Sequence, residues 1–155
     1  MSTGAWVVVA AVTLALVLGL WRASTDGRFS GARAVHRTEA AEAQAPVDAA
    51  GATPAGAALV ATVGGSLGER ATLLQFSSAF CAPCRATRRV LGEVADLVDG
   101  VAHVEVDAEH HLDATREFGI LRTPTTVVLD PDGREVTRAS GAPSRDQVLT
   151  ALAQV

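Results

Sequence analysis

The reactive feature of this chain is a pair of cysteines two residues apart, Cys81-Ala82-Pro83-Cys84, followed directly by Arg85. A cysteine acts as a nucleophile only as its thiolate. The surroundings predict that one is favoured here. An apolar stretch, Thr72 to Ser77, ends just before the pair, and an amphipathic stretch begins just after it, so the pair opens a helix. The first-turn N–H groups of a helix have no intrahelical partner, and that end carries partial positive charge. A thiolate at Cys81 is stabilised there, and Arg85 adds a fixed charge. Pro83 is tolerated in the first turn because its missing N–H has nothing to bond to. The two-residue spacing lets the sulfurs meet across one turn. Cys81 can then attack a disulfide, and Cys84 can resolve the mixed disulfide by intramolecular attack. Two other readings compete. One is a zinc half-site completed by His110 and His111; these are adjacent, whereas zinc sites space paired histidines three to five residues apart. The other is an inert buried pair. Two cysteines alone make neither a disulfide scaffold nor a four-thiolate zinc site. The redox reading outweighs both.

The elements that must position this pair alternate between strand and helix. Thr72-Leu73-Leu74-Gln75-Phe76-Ser77 reads as a buried strand. Val90, Leu91, Val94, Leu97 and Val98 fall on one helix face, with Arg85, Arg88, Arg89, Glu93 and Asp96 around the rest and Arg89 placed to pair with Glu93. Val101 to Val106 is the next strand. Asp107 is placed to cap a short helix ending near Gly119, and His110 and His111 begin that helix with no evident task. Thr125 to Leu129 is a strand, Asp130-Pro131-Asp132-Gly133 a turn, and Glu135-Val136-Thr137 the returning strand. Ser144 and Gln147 fit a capping box that opens a last helix. The order β-α-β-α-β-β-α predicts an α/β domain with a mixed sheet flanked by helices.

In this order and context the chain resembles the thioredoxin superfamily, from about Leu67 to Val155. The resemblance rests on Leu73-Leu74-Gln75-Phe76, Cys81-Ala82-Pro83-Cys84, Val104-Glu105-Val106-Asp107 and Gly119-Ile120-Leu121-Arg122-Thr123-Pro124-Thr125, with Gly133 and Gly141 at the hairpin and closing positions. It implies a thioredoxin-like fold and a redox-active Cys81–Cys84 disulfide, with no cofactor and no metal. It also implies a cis Thr123–Pro124 bond facing the cysteines and a substrate strand held along Thr123. Phe80, Ala82, Pro83, Thr123 and Pro124 would then contact substrate. Three departures matter. Phe80 stands where a Trp usually precedes the first cysteine, and Ala82 replaces the usual Gly. Gln75, six residues before Cys81, stands where the family has a buried Asp that helps move the proton of the second cysteine. Gln does not titrate. His103 stands where the family often has a buried Lys, and its imidazole titrates near neutrality. His103 and Gln75 are therefore the candidate proton relay, against the plainer reading of His103 as a hydrogen-bonded strand residue.

Ahead of this domain lies a different kind of sequence. Residues 1–4 form a short tail. Residues 5–21, Ala5 to Trp21, carry no charge and place Trp6 and Trp21 near the ends, as interfacial indoles are placed. Seventeen helical residues rise about 26 Å against a hydrocarbon core of about 30 Å. A cleaved signal peptide needs a basic start that is missing here, and Ala32-Arg33-Ala34 lies far beyond the apolar run. The expectation is a retained single-pass anchor touching membrane lipid through residues 5–21. Arg22, Arg28, Arg33 and Arg37 follow the span and none precedes it, which favours the cytoplasmic face for the C-terminal side. An extracytoplasmic placement remains the alternative. Residues 22–57 read as a flexible linker, with Glu39 to Ala45 helix-prone and Pro46, Gly51, Pro54 and Gly56 as breakers. Residues 58–155 read as the domain.

The whole chain has 155 residues, a formal charge of −4 and no lysine among its 13 basic residues. That balance argues against a nucleic-acid partner. The leading function is a membrane-tethered thiol–disulfide oxidoreductase acting on disulfide-containing proteins and recharged by an electron donor. The alternatives are an extracytoplasmic role in cytochrome maturation or exported-protein thiols, a redox-inactive adaptor, and a peroxidase, whose usual Pro-x-x-x-Thr-x-x-Cys run is not found.

Overall fold

The computed structural model describes residues 3–31 and 53–155. The helix-prone run Glu39 to Ala45, the Ala32-Arg33-Ala34 triplet, Arg33, Arg37, Pro46 and Gly51 lie outside the described residues.

A five-stranded sheet organises the domain. In chain order the elements are α1 (Thr3–Thr25), β1 (Phe29–Gly31), α2 (Ala55–Thr62), β2 (Ala71–Ser77), α3 (Ala82–Leu97), β3 (Val101–Asp107), α4 (Leu112–Glu117), β4 (Thr125–Leu129), β5 (Glu135–Ser140) and α5 (Arg145–Leu152). The sheet runs β1-β5-β4-β2-β3. β2 is parallel to β3 and antiparallel to β4, and β4–β5 is a hairpin. β2 is central and buried along its whole length, its polar Thr72, Gln75 and Ser77 included. The expected mixed sheet flanked by helices is present.

Each sheet face carries its own apolar layer. Leu74, Phe76, Val104, Val106, Val127 and Leu129 pack with Leu59 and Val60 of α2 and with Phe118 after α4. Leu73 and Val128 pack on the other face with Leu91 and Val94 of α3 and Val148, Ala151 and Leu152 of α5. The period-2 alternation along β2 therefore decides which residues meet α3. Residues 71, 73, 75 and 77 do, and so, across the parallel pair, do 103, 105 and 107.

Several local expectations hold. Ser144 and Gln147 form a complete capping box. The Asp130 side chain accepts from the N–H groups of Asp132 and Arg134, closing the β4–β5 turn. Others need correction. Asp107 does not cap α4; its Oδ1 accepts from the N–H groups of Glu109 and His110, and the cap position falls to His111. Leu97, expected on the buried face of α3, is exposed, because the helix ends there and Val98 turns to extended geometry. No Arg89–Glu93 pair is found among the described residues; Arg88 reaches across to Glu105 instead.

The N-terminal readings change more. Residues 22–57 were expected to be linker throughout. Phe29–Gly31 instead adds to the sheet as an edge strand, pairing antiparallel with β5 through Phe29–Ala139, Ser30–Arg138 and Gly31–Thr137. α2 begins at Ala55, ahead of the expected boundary at 58. The physical reason is the open edge of β5, whose unpaired N–H and C=O groups accept any short extended segment that can reach them. The expected span at 5–21 is helical within α1, with Trp6 to Trp21 exposed. Among the described residues no helix is long and apolar enough to cross a membrane.

Candidate functional site

The two cysteines sit where β2 hands over to α3. Ser77 ends the strand, three residues form a tight connection, and Cys81 takes the N-cap position with φ −97° and ψ 96°. Cys81 and Cys84 are joined as a disulfide, with their Cα atoms 5.2 Å apart. The Cys81 sulfur accepts the Cys84 N–H at 3.1 Å. The pair therefore meets one of the helix's unpartnered donors, as the motif's position predicts. The two cysteines differ in access. Cys81 is partly exposed at the helix tip, whereas Cys84 is 2% exposed beneath it. A sulfur that incoming disulfides can reach lies in front of one that they cannot. Phe80 stands fully exposed immediately before Cys81, and Ala82 and Pro83 are exposed after it.

The loop ahead of β4 is bonded to the segment that leads into the pair. Its Thr123–Pro124 peptide is cis, as the resemblance implies. Hydrogen bonds hold this loop from within and from neighbouring segments. Thr123 and Ser78 share a hydroxyl–hydroxyl bond of 2.9 Å, tying the loop to the segment that leads into Cys81. The Pro124 carbonyl accepts from the Gly141 N–H at 2.8 Å. The Thr125 hydroxyl donates to the Arg122 carbonyl at 2.8 Å. The Arg122 guanidinium in turn donates to the Ser140 carbonyl and to Asp26, each at 2.6 Å. Gly141 is required at this crossing. Its φ is +97°, and a Cβ there would lie 2.7 Å from Arg122 Nη2 and 3.1 Å from the Gly27 nitrogen. The sequence gives no sign of this Asp26–Arg122 pairing, because residues so far apart in the chain leave no local signal.

Behind Cys84 the polar residues of β2 and β3 gather. Gln75 is fully buried. Its amide donates to the Ser77 hydroxyl at 2.8 Å and to the Cys84 carbonyl at 3.0 Å. Its oxygen lies 3.1 Å from His103 Nε2, so the bonded tautomer carries its proton on that nitrogen. The structure thus brings Gln75, His103 and Cys84 together, but this chain of bonds ends on the Cys84 carbonyl. Burial of the imidazole pushes His103 below its ordinary pKa, an effect that the nearby Glu105 opposes and Arg88 reinforces. His103 is therefore biased toward its neutral form.

Glu105, not among the expected site residues, completes this group. It pairs with Gln75 across the parallel strands. Arg88 holds its carboxylate at 2.5 and 2.6 Å. Burial alone would raise its pKa, but bonds from Arg88 and Ser77 outweigh that and hold it below the usual value. The signal was present in the strand alternation, which puts residues 103, 105 and 107 on one face. A cleft of about 330 Å³ opens here, lined by Ser77, Cys81, Cys84, Arg88, Glu105 and Asp107. His110 has a partner too: its Nδ1 lies 2.8 Å from Asp107, and this bond is the largest of the causes that lower the Asp107 pKa. No group of three or more metal-binding side chains occurs among the described residues.

Comparison with known proteins fits this geometry. Residues 63–155 match the family model described as a thioredoxin-like domain. A thioredoxin of Alicyclobacillus acidocaldarius is 33% identical over 89 residues, covering 57% of this chain and 84% of that protein. Thioredoxin H2 of Arabidopsis thaliana is 31% identical over 70 residues, 45% of this chain and 52% of the relative. In fold, the chain is similar to Fasciola hepatica thioredoxin, with a TM-score of 0.51 at 24% identity over 63% of this chain and 88% of that one.

Proposed function

The chain belongs to the thioredoxin-like family, and from that premise we propose that it is a thiol–disulfide oxidoreductase tethered to a membrane by α1 and reducing protein disulfides on the cytoplasmic face. The oxidoreductase chemistry itself follows from the family and the cysteine pair, and the reactive group is the pair, with no cofactor. One observation carries the reading: an accessible Cys81 caps α3 while Cys84 waits directly beneath it, 2% exposed. Cys81 attacks the substrate disulfide. Cys84 then displaces the substrate from Cys81, closing the Cys81–Cys84 disulfide and releasing a reduced partner. Two electrons pass from the dithiol to the substrate, and an external donor must return them.

Phe80, Ala82 and Pro83 would form the rim against which a substrate rests, and the Thr123 backbone beside Pro124 would pair with its extended chain. Leu121, 95% exposed two residues before Thr123, extends that apolar rim. His103 and Gln75 are candidates for proton handling.

The tether is supported by sequence. Ala5 to Trp21 is uncharged and bounded by Trp6 and Trp21. This run lies within α1, Thr3–Thr25. The arginines that follow favour the cytoplasmic face, where thiols are kept reduced.

Two experiments test this reading. Replacing Cys81 by Ser is expected to abolish reduction of a protein disulfide such as that of insulin; full retention of the cellular role by this variant would instead identify an adaptor. For placement, intact cells are treated with a membrane-impermeant phosphine and then an impermeant maleimide. Cys81 and Cys84 are the only thiols, and labelling only after lysis is expected. Labelling in intact cells moves the domain outside and makes exported-protein or cytochrome thiols the substrates.

A further inference from the structure

In the resolving step Cys84 must lose a proton, and its immediate neighbour cannot take it. Gln75 has no titratable group, and its amide is fully committed to Ser77, the Cys84 carbonyl and His103. His103 reaches no further than Gln75, and an amide does not pass protons on. Among the described residues, the one carboxylate that both lines the cleft holding Cys84 and sits level with Gln75 on the adjacent strand is Glu105. The cleft, about 330 Å³, has room for several waters at roughly 30 Å³ each, so it offers a solvent path between the two groups. Arg88 grips both carboxylate oxygens, fixing the group at the cleft wall.

We infer that Glu105 is the proton acceptor for Cys84, acting through water in this cleft, and that Arg88 positions it. The inference deepens the exchange chemistry proposed above. With Cys81 joined to a substrate sulfur, the Cys84 proton passes to the Glu105 carboxylate. The Cys84 sulfur bonds to the Cys81 sulfur, and the Cys81–substrate bond breaks. The substrate leaves with the electron pair as a thiolate and takes up a proton, supplied from Glu105 by way of solvent. Among the described residues, the charged and titratable groups acting on Glu105 are Arg88 from α3 and His103 on its own strand, and Arg85 and Asp107 line the same cleft. β2 presents only Gln75 and Ser77, which do not titrate.

General-base catalysis leaves a kinetic signature. With a working carboxylate, the resolving rate is independent of pH between the pKa of that carboxylate and the pKa of the Cys84 thiol. Without it, resolution depends on hydroxide, and the rate climbs tenfold per pH unit over that interval. The reduced full-length protein is mixed with an aromatic disulfide that releases coloured thionitrobenzoate. The first release reports attack by Cys81 and the second reports resolution by Cys84. Across pH 3.5 to 9 the second phase of the wild type is expected to show a plateau. Glu105→Gln, equal in shape, is expected to lose the plateau and slow the second phase at least tenfold near neutrality, with the first phase within twofold. Arg88→Gln keeps the carboxylate but removes its counter-charge, and is expected to move the lower edge of the plateau to higher pH. A second phase unchanged in Glu105→Gln overturns the inference. So does a plateau that survives in Glu105→Gln and disappears in His103→Gln, which returns the role to the imidazole. An equal loss of both phases in Glu105→Gln, with Arg88→Gln unaltered, overturns it in favour of a purely structural ion pair. Absence of both phases in the wild type refutes the exchange reading itself.

Discussion

Replacing Gln75 by Glu exchanges one buried amide nitrogen for oxygen and leaves the shape of the side chain intact. Its consequences can be worked out from the bonds that nitrogen makes. Gln75 is fully buried, and its Nε2 donates to Ser77 and to the Cys84 carbonyl. An ionised carboxylate there would set negative charge against the Cys84 carbonyl oxygen, away from water. A neutral acid retains a donor and avoids the clash. Full burial raises carboxyl pKa values by up to about 3–5 pH units. With Ser77 and His103 able to donate to the anion, a rise of about three is expected. The folded-state pKa then lies at ~7, against ~4.3 unfolded. A raised folded pKa gives stability that is complete below ~4.3 and is lost as pH climbs through ~7. At about 1.36 kcal/mol per pH unit the total loss is roughly 4 kcal/mol. Urea unfolding of the oxidised protein at pH 4.5, 6 and 8, with the wild type subtracted at each pH, measures it. A difference between variant and wild type that stays within about 1 kcal/mol over this range would refute the argument, showing that water or a relaxed backbone solvates the position.

Two further outcomes follow from the described contacts. Gly141→Ala forces a side chain into φ +97° and against Arg122 and the Gly27 nitrogen; a loss of about 1–3 kcal/mol is expected, read as a lower thermal midpoint, and an unchanged midpoint would show that this crossing is not tight. His103 has its pKa lowered chiefly by burial, so its stabilising contribution is complete above the unfolded value near ~6.5 and is lost as pH falls through the lower folded value; the oxidised wild type should lose more stability than His103→Gln between pH 7 and 5, by circular-dichroism melts, and parallel pH curves would contradict the burial effect.

Much of the fold was legible because its signals are local. The β2 run, the Cys81–Cys84 helix start, the Asp130–Gly133 turn and the Ser144–Gln147 cap each lie within a few residues, where spacing and residue type suffice. Errors came where a residue's role depends on distant chain. Asp107 looks like a helix cap, but the bonds it makes close an earlier turn and leave the cap position to His111. Leu97 fits the apolar period of α3, yet the helix stops beside it. Phe29–Gly31 is too short for any strand periodicity, and only the open edge of β5 makes it one.

At the site the same division holds. The sequence alone identified the cysteine pair and the helix start that favours a thiolate at Cys81, because these depend on residue identity and local position; the absence of a buried acid at Gln75 came from the family resemblance. Only the tertiary structure decided that the Gln75 amide ends on the Cys84 carbonyl. Only it placed Glu105 rather than His103 in the cleft with Cys84 and paired the exposed Arg88 with Glu105. Proton transfer, unlike nucleophile identity, depends on which polar groups face one another across β2, β3 and α3. That is a property of strand register and helix packing, which no short stretch of sequence contains.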